Sequence, residues 1–475
     1  MTAAIPELDA PVPATLPVGV ASAISCRGRC RTGGRPLAGV TLRASGANHR
    51  AQWLPDGQFW ATVPVPAAAR PGTIALEALV RVAGGPEERL PLAEIEVVAP
   101  PAAAPASGTA AAGPETVFVC MATFDPDLAL LRAQLESLRA QSDPAWVCLI
   151  SDDCSSEHSF DGLLELVGDD RRFVVSRSER RLGFYRNFER ALSLVPAQAE
   201  LIALCDQDDR WHPDKLAVLR AALPGATLVY SDQRLVTAGG RLLRATLWHG
   251  RRNNHTNLAS MLIANSITGA ASLMRREVLD LALPFPEVAG YQFHDHWLGL
   301  VALSLGEIAY VDRPLYDYVQ HAGAVFGDVT QGRPDGPAAR RARGARRARR
   351  GARREARRAA YFYGYLPRQA QACAVLARGG ACIAPRKRRA LAGFIACDRS
   401  AFAFAWLLAR SLRCLVGRNE TLATELELAQ GIAWRWFEAI RQRLAARAGR
   451  LGEPAPPPAL DAFSQRRLRR WRATL

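Results

Sequence analysis

The stretch LCDQDDRWHPDK, residues 204–215, runs from apolar residues straight into Asp206, Asp208 and Asp209. Three carboxylates within four positions repel one another unless water separates them or a cation sits among them. A second acid pair, Asp152 and Asp153, closes the apolar run WVCLIS. Helix capping is the structural use of such residues, yet Ser155 and Ser156 just beyond the pair are good caps themselves, so capping there does not require the acids. Asp209 and His212 lie close to a helix start that Pro213 suits, which gives them a structural reading as well. A lone DxD triplet is common by chance; the same triplet at a strand end, with another acid cluster at an earlier strand end, is far more specific.

The elements that must position these acids follow from periodicity. TVFVCMATF, WVCLISDD, FVVSRSE and ELIALCDQDD read as buried strands, with helical apolar spacing between them, as in PDLALLRAQLESLRAQ. Strands alternating with helices imply an α/β domain with a parallel sheet and crossover helices. Ligands bind such sheets at the carboxyl ends of the strands, which is where both acid clusters and Thr123 fall. HDHWLGLVALSLG (294–306) predicts a helix, and EIAYVDRPLYDYV a returning strand.

Around this unit the texture of the chain changes. Residues 1–99 hold short alternating strands with Gly/Pro punctuation, which predicts a β-sandwich. Residues 100–115 are a Pro/Ala linker, 116–330 the α/β domain, 331–360 an Arg-rich segment and 361–475 a helical C-terminal region. A 475-residue chain with 49% hydrophobic residues has material for several cores, which excludes wholesale disorder. The net charge of +16 is uneven: residues 333–358 carry twelve Arg against Asp335 and Glu355, a net +10 that leaves +6 for the rest. The ten cysteines show no zinc-like spacing; Cys26 and Cys30 are read as reduced, buried thiols. The N-terminus lacks a basic region ahead of an apolar run, and no run approaches the roughly 18–20 apolar residues that span a bilayer. A cytoplasmic location is expected.

The motifs MATFDPD, ISDDCSSE, RLGFYRNFERAL, LCDQDDRWHPDKL, NSITGAASLMRREVL, HDHWLGLVALSLGEIAYVDRPLYDYVQH and GAVFG stand in order over residues 116–327. In this the chain resembles inverting family 2 glycosyltransferases of the GT-A fold, in particular their rhamnosyltransferase-like branch. The resemblance implies a GT-A catalytic domain, with its Rossmann-like mixed sheet, that takes a nucleotide-sugar donor. A hard divalent cation, Mg2+ or Mn2+, would neutralise the departing diphosphate as a Lewis acid. It also assigns residues. Asp208 becomes the direct metal ligand, with Asp206 nearer the ribose and His321 on the metal or the diphosphate. Thr123, Asp152 and Asp153 would meet the base and ribose, and Arg186 a phosphate. Asp295, at a helix start whose dipole keeps it ionised, becomes the general base that deprotonates the acceptor hydroxyl. Trp297 either lines the acceptor sugar or packs. The departures are Val319, where an Arg is common, and Ala322 in place of Gly; they put an Arg–phosphate contact there in doubt.

The expected reaction is transfer of a sugar, rhamnose or another deoxysugar, to a hydroxyl of a growing surface glycan, free or lipid-linked. A glycoside hydrolase also uses two carboxylates but needs neither a nucleotide nor a cation. A non-catalytic sugar- or nucleotide-binding scaffold is the alternative from another class, and it has no use for Asp153, Asp206, Asp208 and Asp295 together. Nucleic acid is not expected as a partner, because the Arg-rich run lacks interleaved aromatics. That run, residues 337–360, is expected instead to hold the enzyme peripherally on the anionic inner face of a membrane.

Overall fold

The period-2 alternation of the first hundred residues becomes two facing sheets, because the pleat sends alternate side chains inward. In the computed structural model the described residues are 4–10, 12–99, 113–248, 251–288, 293–321, 344–453, 456 and 458. Most of the Pro/Ala linker, the GAVFG motif and the start of the Arg-rich run lie outside them. One sheet joins β1 (Ile5–Leu8), β3 (Ser22–Arg31), β7 (Gln58–Val65) and β6 (Gln52–Trp53). The other joins β2 (Thr15–Pro17), β9 (Glu87–Val98), β8 (Gly72–Val82), β4 (Leu37–Ala44) and β5 (Ala47–Arg50). This sandwich has its own core, including Ile24, Leu42, Phe59, Leu76 and Ile95. Cys26 and Cys30 are free, buried thiols within it.

The second unit is α/β. Its strands are β10 (Val117–Thr123), β11 (Trp146–Asp152), β12 (Phe173–Arg177), β13 (Leu201–Asp206), β14 (Arg210–Trp211), β15 (Leu228–Thr237), β16 (Leu242–Arg244), β17 (Ser272–Arg275) and β18 (Ile308–Gln320). They form one mixed sheet in the order β12-β11-β10-β13-β17-β15-β18-β14, with β16 on β15. β12, β11, β10 and β13 run parallel. Helices α1 (Leu128–Arg139), α2 (Glu157–Val167) and α3 (Phe184–Ser193) make the crossovers between them. β17 is antiparallel to both β13 and β15, and β15 is parallel to β18. Helices α4 (Lys215–Ala222), α5 (Leu258–Ile263), α6 (Arg276–Ala282) and α7 (His294–Leu305) complete the unit. This is the GT-A type of α/β fold, flanked by the sandwich and a helical C-terminal region.

That region comprises α8 (Gly344–Ala359), a π-helical turn (Ala360–Tyr365), α9 (Leu366–Gly379), α10 (Pro385–Ile395), α11 (Ala401–Ser411) and α12 (Thr424–Arg447). It wedges between the other two units. Phe59 and Trp60 are neighbours on β7 and therefore face opposite ways. Phe59 fills the sandwich, while Trp60 sits edge-on to Tyr361 and Phe362 and donates its indole N–H to the Tyr361 hydroxyl at 2.9 Å. Arg378 ties all three parts together, donating to the carbonyls of Ala21, Leu281 and Ala282.

Candidate active site

Strand register brings the acids to one edge. Thr123 pairs with Asp152 across β10 and β11, and Ala122 with Asp206 across β10 and β13, so these strand ends are level. The chain then turns through Gln207, Asp208 and Asp209 into β14, which is antiparallel to β18. The Gln207 side chain clasps the backbone of Phe124, accepting its N–H at 2.8 Å and donating to its carbonyl at 3.3 Å. Asp209 is fully buried and accepts the Val319 N–H at 3.2 Å. The end of β18 is thereby drawn alongside the acid turn, and Nε2 of His321 lies 2.7 Å from Oδ2 of Asp208. Both of those side chains keep about a fifth of their surface open, 21% and 23%.

Asp295 arrives from the other side of the same edge, in the first turn of α7. The N–H groups of His296 and Gly269 and the side chain of Asn265 hydrogen-bond it, yet burial dominates and pushes its carboxyl up to about 7. Burial, with Asp208 and Asp295 alongside, raises the Asp206 carboxyl to about 7 as well. Asp209 goes well above the usual range for the same reasons, burial first and then Asp208 and Asp206. Its Oδ2 takes no hydrogen bond from a described residue. The protein therefore crowds Asp206, Asp208, Asp209 and Asp295 without fully compensating them.

The nearest compensation is a residue not singled out in the sequence. Lys215 is fully buried beneath the turn, donates to the Ala270 carbonyl, and lies 3.3 Å from the Trp211 ring centroid and 4.9 Å from that of Tyr316. Burial lowers its pKa to about 7, against the pull of Cys205, Asp209 and Asp206. Its place in the first turn of an apolar helix, six residues after Asp209, is the only signal the sequence offers.

A hard divalent cation fits this donor set. Asp208 and His321 are in contact, each about a fifth open, and next to uncompensated carboxylate charge. Among the described residues no group of three or more His, Cys, Asp or Glu is arranged to hold an ion alone. Mg2+ is characteristically held by one or two carboxylates with substrate phosphates completing the shell, which is the arrangement such a pair would support.

The other expected site residues are used differently. Asp152 is fully buried; it accepts the Ser155 N–H at 3.1 Å and the Ser155 hydroxyl, with Arg177 at 3.7 Å. Thr123 is buried against it, its hydroxyl 3.4 Å from Oδ2. Asp153 accepts the N–H groups of Leu182 at 2.6 Å and Gly183 at 2.8 Å, which fixes the loop into α3. Both carboxylates are buried in these contacts. Arg186 points to the Phe285 carbonyl, Glu189 and Glu287 rather than to the acid turn. Near the same strand ends Arg181 lies 3.9 Å from the Phe124 ring centroid, and Arg177 lies by Asp152. Trp297 packs: it is fully buried and donates to the Ala282 carbonyl at 3.0 Å.

Part of this α/β unit is similar to known proteins. Residues 118–281 match the sequence profile of the family described as Glycosyl transferase family 2. The uncharacterized protein y4gI of Sinorhizobium fredii is 30% identical over 128 residues, 26% of this chain and 14% of that one. A Bacillus subtilis protein provisionally named as a teichuronic acid biosynthesis glycosyltransferase, TuaG, is 35% identical over 82 residues, 17% of this chain and 32% of that one. The chain thus spans a third or less of these relatives. Among solved structures, S. aureus TarS residues 1–349 in complex with UDP-GlcNAc aligns over 70% of this chain and 92% of its own, at 15% identity and a TM-score of 0.42. The mannosyltransferase PcManGT from Pyrobaculum calidifontis, in complex with GDP-Man and Mn2+, aligns over 68% and 86%, at 15% identity and a TM-score of 0.32. The segment that matches this family, residues 118–281, contains Asp206 and Asp208, and Asp295 and His321 lie beyond its end.

Proposed function

We propose that this chain is a metal-dependent inverting glycosyltransferase that moves a sugar from a nucleotide-diphosphate donor to a hydroxyl of a growing surface glycan. The observation that carries the reading is the meeting at one sheet edge of an open Asp208–His321 pair, Asp206 and a helix-borne Asp295. Asp208 and His321 would hold Mg2+ or Mn2+, with Asp206 beside them. When bound, the cation supplies Lewis-acid neutralisation of the leaving diphosphate. Asp295 takes the proton from the acceptor hydroxyl as that oxygen bonds the anomeric carbon and the carbon–phosphate oxygen bond breaks. A base whose pKa lies near the working pH suits that task. Asn265 and the Gly269 N–H hold its carboxylate in place. Rhamnose or another deoxysugar is the donor sugar favoured by the motif resemblance, and a lipid-linked glycan the acceptor.

A screen of nucleotide sugars for cation-dependent turnover tests the reading, with Asp295→Asn as its control. The amide keeps the shape but cannot accept the proton. Transfer is expected to fall by roughly a hundredfold or more while donor affinity holds. Equal loss of donor binding and transfer would move Asp295 into the donor site. Undiminished turnover in a chelator would remove the cation.

A further inference from the structure

Helix α11 is inside out. Its exposed residues are Ala401, Phe402, Ala405, Leu408 and Ala409, with no charged or polar residue among them. The apolar face continues through the 3-10 turn Leu412–Val416, where Leu412, Leu415 and Val416 are 60%, 82% and 73% exposed, and Phe402 reaches 87%. A soluble helix normally turns its polar stripe outward, and a contiguous apolar face of this kind marks an interaction site.

Its charge surroundings indicate what it meets. Residues 385–418 hold eight Lys or Arg and a single acid, Asp398, which is fully buried. Arg410 and Arg413 turn inward to Ser260, Glu420 and Glu425, and so fasten α11 to the catalytic unit. Arg386, Arg388 and Arg389 on the helix leading in, and Arg418 on the turn leading out, are exposed. Helices α10 and α11 are apolar enough to pass together as a membrane segment but are bent by 103°, and no single helix among the described residues is long enough to cross. Short apolar helices with a basic margin lie in the plane of an anionic bilayer surface rather than through it.

We propose that α11 and the turn after it dock the protein on an anionic lipid surface. The docking inference stands on this surface alone; its purpose rests on the transfer reading. Arg251 donates at 2.8 Å to the carbonyl of Glu420, just past the apolar turn, and at 2.6 Å to that of Asn265, whose side chain holds Asp295. One arginine therefore links the docking face to the base, and the side of the site that receives a lipid-borne acceptor lies next to the bilayer. In this arrangement the apolar face makes the principal contact. The Arg-rich run is secondary, since Arg354 and Arg358 of α8 are turned toward Glu438 and Gln58.

Cosedimentation of the full chain with vesicles of phosphatidylcholine, with and without phosphatidylglycerol, tests this. The wild type should pellet with the anionic vesicles. The triple variant Phe402→Ser, Leu408→Ser, Leu412→Ser, all at exposed positions, should lose about tenfold or more of that binding. It should keep its circular dichroism and any turnover on a soluble acceptor. Gln at Arg346, Arg347, Arg349 and Arg350 should retain most of the binding. Three outcomes overturn the proposal: equal vesicle binding by the triple variant, no binding by the wild type at low salt, or a wild-type dimer that the triple variant dissolves without any vesicle binding. If vesicle binding splits as expected while no nucleotide sugar is turned over, docking stands and the transfer reading fails.

Discussion

Asp208 and His321 stand 113 positions apart in the chain and touch because the pairing of β18 with β15 and β14, with the Val319 N–H donated to the Asp209 carboxylate, brings the end of β18 to the acid turn. Replacing Asp208 with Ala removes the carboxylate that meets His321, so cation-dependent turnover should fall by orders of magnitude with the fold intact. Calorimetric titration of Mn2+ in the presence of a nucleoside diphosphate reads the lost affinity directly; an unchanged isotherm would place the cation elsewhere. Asp295 predicts a pH profile. Its carboxyl is raised to about 7 and must be ionised to act, so the rate should climb about tenfold per pH unit below that value and level off above it. A profile flat from pH 5.5 to 8 would remove Asp295 as the base. At this scale the sequence was informative where chemistry repeats at strand ends, as in Asp206 and Asp208. Apart from His321, which the motif resemblance assigned to the same metal or diphosphate, it did not show partners supplied from far along the chain. Arg186 pairs with Glu189 three residues on, but also with the Phe285 carbonyl and Glu287, and the burial of Lys215 under Trp211 and Tyr316 follows from how α4 meets β18; these distant partners leave no local trace.

At the scale of elements, helix α7 is positioned through its first residue. His294 stacks on Phe188 with ring centroids 3.7 Å apart, and burial drives its pKa down to about 3 from 6.5. Between those values the unfolded chain takes up a proton that the folded chain refuses. The stability tied to this residue is therefore complete above pH 6.5 and is lost as the pH falls toward 3, at about 1.4 kcal/mol per unit. Urea unfolding at pH 7 and pH 5 should differ by about 2 kcal/mol through this group, and His294→Asn should lose that share of the difference. Gly269 belongs to the same fitting. A Cβ there would meet Nε2 of His294 at 2.7 Å and Cδ1 of Leu204 at 3.2 Å, so Gly269→Ala must displace the start of α7 and with it Asp295. The expected result is impaired transfer with donor affinity retained. The helix and the strand after it were legible as a long apolar period and a returning strand. The need for glycine at position 269 was not, because the obstacle arrives from 25 residues downstream.

At the scale of the whole molecule, the described residues form two large cores. The sandwich keeps its own, while the catalytic unit shares one with the C-terminal helices and with Ala23, Leu54 and Trp60 of the sandwich. The π-helical turn contributes Tyr361, Phe362 and Tyr365 to the shared core. Tyr361 and Tyr365 both donate to buried Asp398, and Gly431 of α12 packs so closely that a Cβ would lie 2.6 Å from the Tyr361 nitrogen. Sequence patterning could show the sandwich and the helices separately, since each is periodic in itself. It could not show that Trp60 belongs to the helices and its neighbour Phe59 to the sandwich, because alternation on a strand does not say which face meets which partner. Trp60 therefore makes the coupling testable. Trp60→Ala removes the edge-on contacts to Tyr361 and Phe362 and leaves the Tyr361 hydroxyl without its indole donor. Such truncations cost about 3–5 kcal/mol, here lost at the junction rather than inside either core. Phe59 and the rest of the sandwich core are untouched, so scanning calorimetry should resolve a sandwich transition separate from that of the catalytic unit where the wild type shows them coupled. A single transition merely shifted to lower temperature would mean that other ties, Arg378 to Ala21 and Gln442 to Asp56, suffice to keep the two units cooperative.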